Sequence, residues 1–162
     1  MLVVETYLAP SKIHGIGLFA SQFIPQGTAI WRFHPVIDHV YTKSKFLKIC
    51  QGLEGDEEAL NHMLNSCYVR SNKCYYITDN ARFINHAEHE FNLDLSDDET
   101  EVAIRDIHAG EELLENYFLC YDKDDFFGLM DKFREAHKNE PLIPPTAHLR
   151  SMMYAYGKNL SR

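Results

Sequence analysis

The chain reads as a mainly β protein with short helices, an α+β fold, and three observations predict it. Short runs of β-branched and aromatic residues recur, each closed by a Pro or Gly turn. Apolar spacing becomes helical only within 42–66, 124–136 and 146–156. No run of about eighteen apolar residues occurs, so no membrane-spanning helix is expected.

In chain order, 2–8 is β-branched and aromatic enough for a strand, and Pro10 ends it. The loop 11–17 holds two glycines that allow close backbone approach, and Leu18-Phe19-Ala20 begins the next strand. Pro25-Gln26-Gly27 turns the chain into a strand over 28–33; Pro35 interrupts it, and 36–41 resumes extended structure. Between 42 and 66, Phe46, Leu47, Cys50 and Leu53, then Leu60, Met63 and Leu64, fall at helical spacing, with Gly52 and Gly55 separating two short helices. Segment 65–72 is turn-rich, and Cys74-Tyr75-Tyr76-Ile77 is a strand leading into 79–92. Five acidic residues at 94–101 surround an apparent hairpin, read either as a solvated turn or as an anionic rim, with 102–105 as the return strand. A turn at 106–110 precedes the run 112–117. Beyond it, Pro141, Pro144 and Pro145 divide the two remaining helical candidates.

Three motifs stand out against this background. The first is His14-Gly15-Ile16-Gly17-Leu18-Phe19-Ala20. It cannot be a dinucleotide fingerprint, since GxGxxG is incomplete and no helical pattern follows. The second is Arg82-Phe83-Ile84-Asn85-His86-Ala87, where an amide and an imidazole directly follow two apolar residues and need partners if buried. The third is Gly110-Glu111-Glu112-Leu113, continuing as Leu114-Glu115-Asn116-Tyr117. In that order and over residues 13–117 they resemble the SET domain family of S-adenosylmethionine-dependent protein-lysine methyltransferases. Ala87 stands where Ser is usual in that family, and Phe91 where Pro is frequent.

The resemblance implies several small, mostly antiparallel sheets and a C-terminal pseudoknot, in which the segment carrying Tyr117 passes under the loop around Asn85-His86. It implies a catalytic domain over 1–121, with 42–66 as a helical insert forming one wall of the substrate groove. Residues 122–162 would be a helical extension packed on the same domain, covering the adenine or mediating dimerisation. The implied cofactor is S-adenosyl-L-methionine, leaving as S-adenosyl-L-homocysteine. Tyr117 is the implied catalytic residue, orienting the amine or the transferring methyl. Backbone groups of His14, Gly15, Ile16 and Gly17 would meet the methionine part of the cofactor, together with Arg82, Phe83, Asn85 through its amide, and His86 through its backbone. Arg82 would face either the cofactor carboxylate or a structural one, and Glu112 would stabilise the fold. Phe33, Tyr76 and Leu95 are the implied substrate-channel residues; Phe33 and Leu95 lack the hydroxyl that relatives often place there.

Bulk properties bound the function. A length of 162 residues suits one domain. The start Met1-Leu2-Val3-Val4-Glu5 lacks a basic region followed by an apolar one, so synthesis as a soluble cytoplasmic protein is expected, with a nuclear or host-cell destination left open. Cys50, Cys67, Cys74 and Cys120 show no CxC or CxxC spacing, which favours free thiols and argues against a zinc module. His86 and His89 have metal-like spacing without further ligands, so no metal is expected. Sixteen basic against 24 acidic residues give a net charge of −8, unsuited to direct nucleic-acid binding and read either as complementary to a basic, lysine-containing protein or peptide or as serving solubility alone. A homodimer is compatible with these features. Two alternatives remain at this stage: a non-catalytic module binding a basic peptide, and a methyltransferase acting on a small amine.

Overall fold

The structure is a computed structural model and describes residues 1–122. The helical candidates at 124–136 and 146–156, which make up the expected C-terminal extension, lie outside the described residues.

Strands β1 (Thr6–Pro10) and β2 (Ile16–Ala20) form an antiparallel hairpin. The period-two alternation of a strand puts Leu18 and Ala20 in the core, while Phe19 stacks on Tyr7 at 5.6 Å. Then come β3 (Ala29–Arg32), β4 (His39–Thr42), helices α1 (Lys43–Gly52) and α2 (Glu57–Asn65), β5 (Cys67–Arg70) and β6 (Lys73–Tyr76). A 3-10 turn at Asn80–Phe83 leads to β7 (Asn85–His86), β8 (Leu93–Asp97), β9 (Thr100–Ala103), β10 (Leu114–Glu115) and the short helix α3 (Tyr117–Cys120). The strands make three sheets: the β1-β2 hairpin, a five-stranded sheet in the order β3-β9-β8-β10-β7, and a three-stranded sheet in the order β4-β6-β5. All pairings are antiparallel except those of β10, which runs parallel to both β7 and β8.

The predicted insert is a pair of capped helices. Thr42 Oγ1 accepts from the Lys45 amide and Asp56 Oδ1 from the Ala59 amide, which satisfies donors that a helix start leaves without intrahelical acceptors. Phe46, Cys50, Met63 and Leu64 pack with Cys67, Val69 and Cys74 in a second apolar cluster that also contains Tyr117. All four cysteines are free and buried. No helix among the described residues is long and apolar enough to cross a membrane.

Three local expectations are corrected. Residues 36–38 form a turn, not a strand, because the buried Asp38 carboxylate accepts from the His34 amide at 2.9 Å and from the terminal amine at 3.0 Å. Residues 67–70 are a strand rather than a turn: the reversal is confined to Ser71 and Asn72, at φ 51° and 59°, whose amides donate to the Asp122 carboxylate at 3.1 and 2.8 Å. Tyr117 does not end a strand but opens α3, since Asn116 Oδ1 accepts from the Phe118 amide and caps the turn.

What places β10 between two strands close in sequence is the fully buried Asn92. Its Nδ2 donates to the Glu112 carbonyl at 2.8 Å and its Oδ1 accepts from the Leu114 amide at 2.9 Å, so one side chain satisfies two backbone groups of the inserted segment. Asn92→Ala strands both in a dry interior and is expected to cost roughly 2–3 kcal/mol. Urea denaturation measures this; a loss below about 0.5 kcal/mol would show that the segment is held elsewhere.

Candidate functional site

The loop before β2 is closed on itself by the Ser11 amide donating to the Gly15 carbonyl at 2.9 Å, with Gly15 at φ 53°, a left-handed conformation that glycine adopts without steric cost. Ser11 Oγ accepts from the Ile13 and His14 amides and donates to Glu112 Oε2 at 2.9 Å. The other oxygen, Glu112 Oε1, accepts from Asn85 Nδ2 at 2.8 Å. That amide nitrogen also faces the carbonyls of His14 at 3.2 Å and Ile16 at 3.3 Å. One carboxylate thus ties the loop, β7 and the segment before β10 together. Gly17 is required for it, because a Cβ there would overlap the Glu112 carboxylate and lie 3.1 Å from the Ser11 Cβ.

Across β7, His86 Nδ1 accepts from the Tyr117 amide at 3.1 Å, and its ring lies 5.2 Å from that of Tyr117 and 5.0 Å from that of Phe118. The accepting nitrogen carries no proton, and burial lowers the His86 pKa against a smaller opposing effect of Glu88. The Tyr117 hydroxyl donates to the Ile84 carbonyl. Burial holds the Tyr117 phenol well above its ordinary pKa, with Glu115, Cys120 and Glu112 acting in the same direction, so it serves as a neutral donor.

Beside this pair is a cavity of about 20 Å³ lined by Trp31, Tyr68, Ile77, Ala81, Ile84, Leu95, Glu101, Glu115 and Tyr121. Two carboxyl groups reach it from buried positions, Glu101 at 3% and Glu115 at 4% exposure. The Tyr121 hydroxyl donates to Glu115 Oε2. Burial pushes the Glu115 carboxyl up to about 7; Asp94 adds to the rise, and the Tyr121 hydrogen bond and Arg70 oppose it. Trp31 Nε1, the Tyr68 hydroxyl and Glu101 Oε1 are buried with no hydrogen-bond partner among the described residues.

The structure therefore brings His14, Gly15, Ile16, Gly17, Asn85, His86 and Tyr117 together, with the Asn85 amide nitrogen engaged by protein acceptors. Of the three residues expected in the substrate channel, Leu95 lines this cavity. Phe33 packs edge-on to Tyr75 at 6.2 Å, and Tyr76 stacks on His39 while its hydroxyl pairs with His62 Nε2 at 3.1 Å. The Arg82 guanidinium lies over the Phe83 ring, 4.9 Å from its centroid. Sequence reasoning missed Tyr68, Glu101, Glu115 and Tyr121. Glu101 belongs in sequence to the acidic hairpin, yet it follows the turn on β9, where alternation turns it inward. Glu115 carried no distinguishing signal.

The His14 and Ile16 carbonyls converge at the Asn85 amide, and each oxygen keeps a second lone pair with which it could accept from an ammonium. A SET domain family model matches residues 15–118. Among solved structures, ctPRC2 in an autoinhibited conformation bound to S-adenosylmethionine is similar at 23% identity and a TM-score of 0.53, over 83% of this chain and 17% of that one. The Chaetomium thermophilum Polycomb Repressive Complex 2 bound to GSK126 aligns at 22% identity and a TM-score of 0.52, over 82% of this chain and 17% of that one. The likeness to these structures is one of fold, and the chain spans only that 17% of their length. Among curated proteins, none matches significantly.

Gly17→Ala is expected to cost roughly 1–3 kcal/mol, because the carboxylate it displaces is pinned at both oxygens. Combining it with Glu112→Ala, which removes the clashing group, should cost less than the sum of the two; strict additivity in denaturation would reject the contact. A second expectation concerns pH. With a folded value of about 7 against an ordinary 4.5, Glu115 keeps a proton that the unfolded chain releases, so stability falls as pH rises through that window. The full penalty, on the order of 3 kcal/mol, is present above about pH 7. Glu115→Gln should therefore gain stability relative to the parent on going from about pH 5 to about pH 8; an offset independent of pH would overturn the assignment.

Proposed function

Because the chain belongs to the SET domain family, we propose that it transfers a methyl group from S-adenosylmethionine to the side-chain amine of a lysine in a protein substrate. The observation that supports this most is the meeting of three remote segments. The loop around His14 and Ile16 is hydrogen-bonded to Asn85, and Tyr117 is bonded to both His86 and Ile84. The backbone groups of His14, Gly15, Ile16, Gly17 and His86 would hold the cofactor, with Arg82 and Phe83 alongside.

When bound, the cofactor supplies a methyl group already activated on a sulfonium sulfur, so the chain needs neither a covalent nucleophile nor a metal for this reaction. Its residues have two tasks: to hold an uncharged amine in line with that methyl, and to keep water out. A free lysine has a pKa near 10.4, so only roughly one amine in a few thousand is neutral at pH 7. Packing the amine against apolar side chains beside Tyr117 would favour the neutral form by desolvation. Tyr117, kept protonated by its surroundings, orients the amine while its hydroxyl is itself aligned by the Ile84 carbonyl. Weak C–H contacts from a polarised methyl to backbone carbonyls would add to the alignment. A net charge of −8 supports a basic protein or tail, histone-like in composition, as the partner.

The test is mass spectrometry of lysine-rich proteins, histones included, after incubation with isotopically labelled S-adenosylmethionine. Incorporation at lysine is expected, and Tyr117→Phe should reduce it by about 10²-fold with cofactor affinity nearly unchanged. Unchanged turnover in that variant would reject the role given to Tyr117.

A further inference from the structure

Two carboxyl groups and three polar atoms without partners among the described residues surround a space beside Tyr117, and the reading of the chain as a methyltransferase leaves all of them unused. A cavity of about 20 Å³ is large enough for one water and too small for a side chain. The polar atoms suit a water well: the Trp31 indole donates, Glu101 Oε1 accepts, and the Tyr68 hydroxyl can do either. Ile84 lines the cavity and its carbonyl receives the Tyr117 hydroxyl; Tyr121, which donates to Glu115, lies 5.3 Å from the Tyr117 ring. The space thus adjoins Tyr117 through two of its lining residues, Ile84 and Tyr121.

We infer that this cavity is the proton exit of the reaction: a water held by Trp31, Tyr68 and Glu101 passes the proton of the substrate ammonium to the Glu115 carboxylate. The inference rests on the proposed methyl transfer. In the step, one ammonium N–H bond breaks, its electron pair stays on nitrogen, and the proton ends on a carboxylate oxygen of Glu115. Tyr121 fixes the rotamer of that carboxylate, and Glu101 acts through the water as a positioning residue. A carboxyl in water titrates too low to take up a proton near neutral pH, whereas burial raises this one into that range. The titratable groups facing it are Tyr121, Cys120 and Tyr117 on the α3 side, Asp94 on β8, Glu101 on β9, Tyr68 and Arg70 on β5, and His86 across the β7 pairing. Arg70 is the cation among them, and it is shared with Asp98 at 2.9 Å.

The test has two arms on the full chain. In the first, the Glu115 carboxyl is followed by carbon NMR with labelled glutamate and assigned by its absence in Glu115→Gln. A midpoint near 7 is expected, moving lower on addition of n-butylammonium as a lysine side-chain analogue. A carboxyl that stays ionised to about pH 5, or a midpoint unmoved by the amine, would overturn the inference without any appeal to activity. In the second arm, kcat for methyl transfer to poly-L-lysine is measured against pH. The acid limb near neutrality should move up by about one unit or more in Glu115→Gln, with over tenfold loss at pH 7, less at pH 9, and an unchanged Kd for S-adenosylmethionine. Coincident limbs in parent and variant would overturn it. Absence of cofactor binding in equilibrium dialysis would instead defeat the methyltransferase reading, and the two failures are separable.

Discussion

The Glu112 carboxylate is the constraint on which the arrangement of the rest depends. It accepts from Ser11 on one side and from Asn85 on the other, and so joins pieces of chain 101 and 27 residues apart. A charge-assisted hydrogen bond in a partly dry site is stronger than a neutral one, and breaking either arm would leave a carboxylate oxygen facing amide dipoles it no longer balances. The missing side chain at Gly17 is the steric counterpart of this contact. Asn92 repeats the device one strand further on, using amide oxygen and nitrogen to seat Leu114 and Glu112 between β7 and β8. Short strands with little ladder of their own are in this way positioned by side chains.

The second feature is the cost accepted at the neighbouring cavity. Glu101 and Glu115 occupy interior positions where apolar residues of similar size would stabilise the fold more, since a buried carboxyl gives up hydration that a single tyrosine hydroxyl does not replace. Polar atoms next to them that have no partner among the described residues add to that cost. Such concentrations of unrelieved polarity are characteristic of places where chemistry is done. Here they adjoin Ile84, whose carbonyl holds the hydroxyl of Tyr117.

Much of the architecture was legible in the sequence. The two insert helices fell where Phe46, Cys50, Met63 and Leu64 repeat at helical spacing, and the turn at Gly27 and the hairpin of β1 and β2 followed from Pro and Gly placement. The three motifs fixed the family. Errors arose where a side chain overrode backbone propensity: Asp38 accepted from the His34 amide four residues back and folded 36–38 into a turn, and the distant Asp122 let a tight reversal follow Arg70 so that 67–70 could pair as a strand. The pairing of Tyr76 with His39 in the three-stranded sheet is a matter of register that no local pattern encodes.

By itself the sequence determined which residue types were available at which spacing, because hydrophobic period, glycine freedom and cap chemistry act over a few residues. It thereby bounded the fold class, and the resemblance carried by its three motifs singled out Asn85, His86 and Tyr117. Only the tertiary structure decided that the acidic residues Glu101 and Glu115 face inward to one small space with Tyr68 and Tyr121. The desolvation that raises the Glu115 pKa is a property of everything packed around it, and it exists only once remote segments of the chain have met.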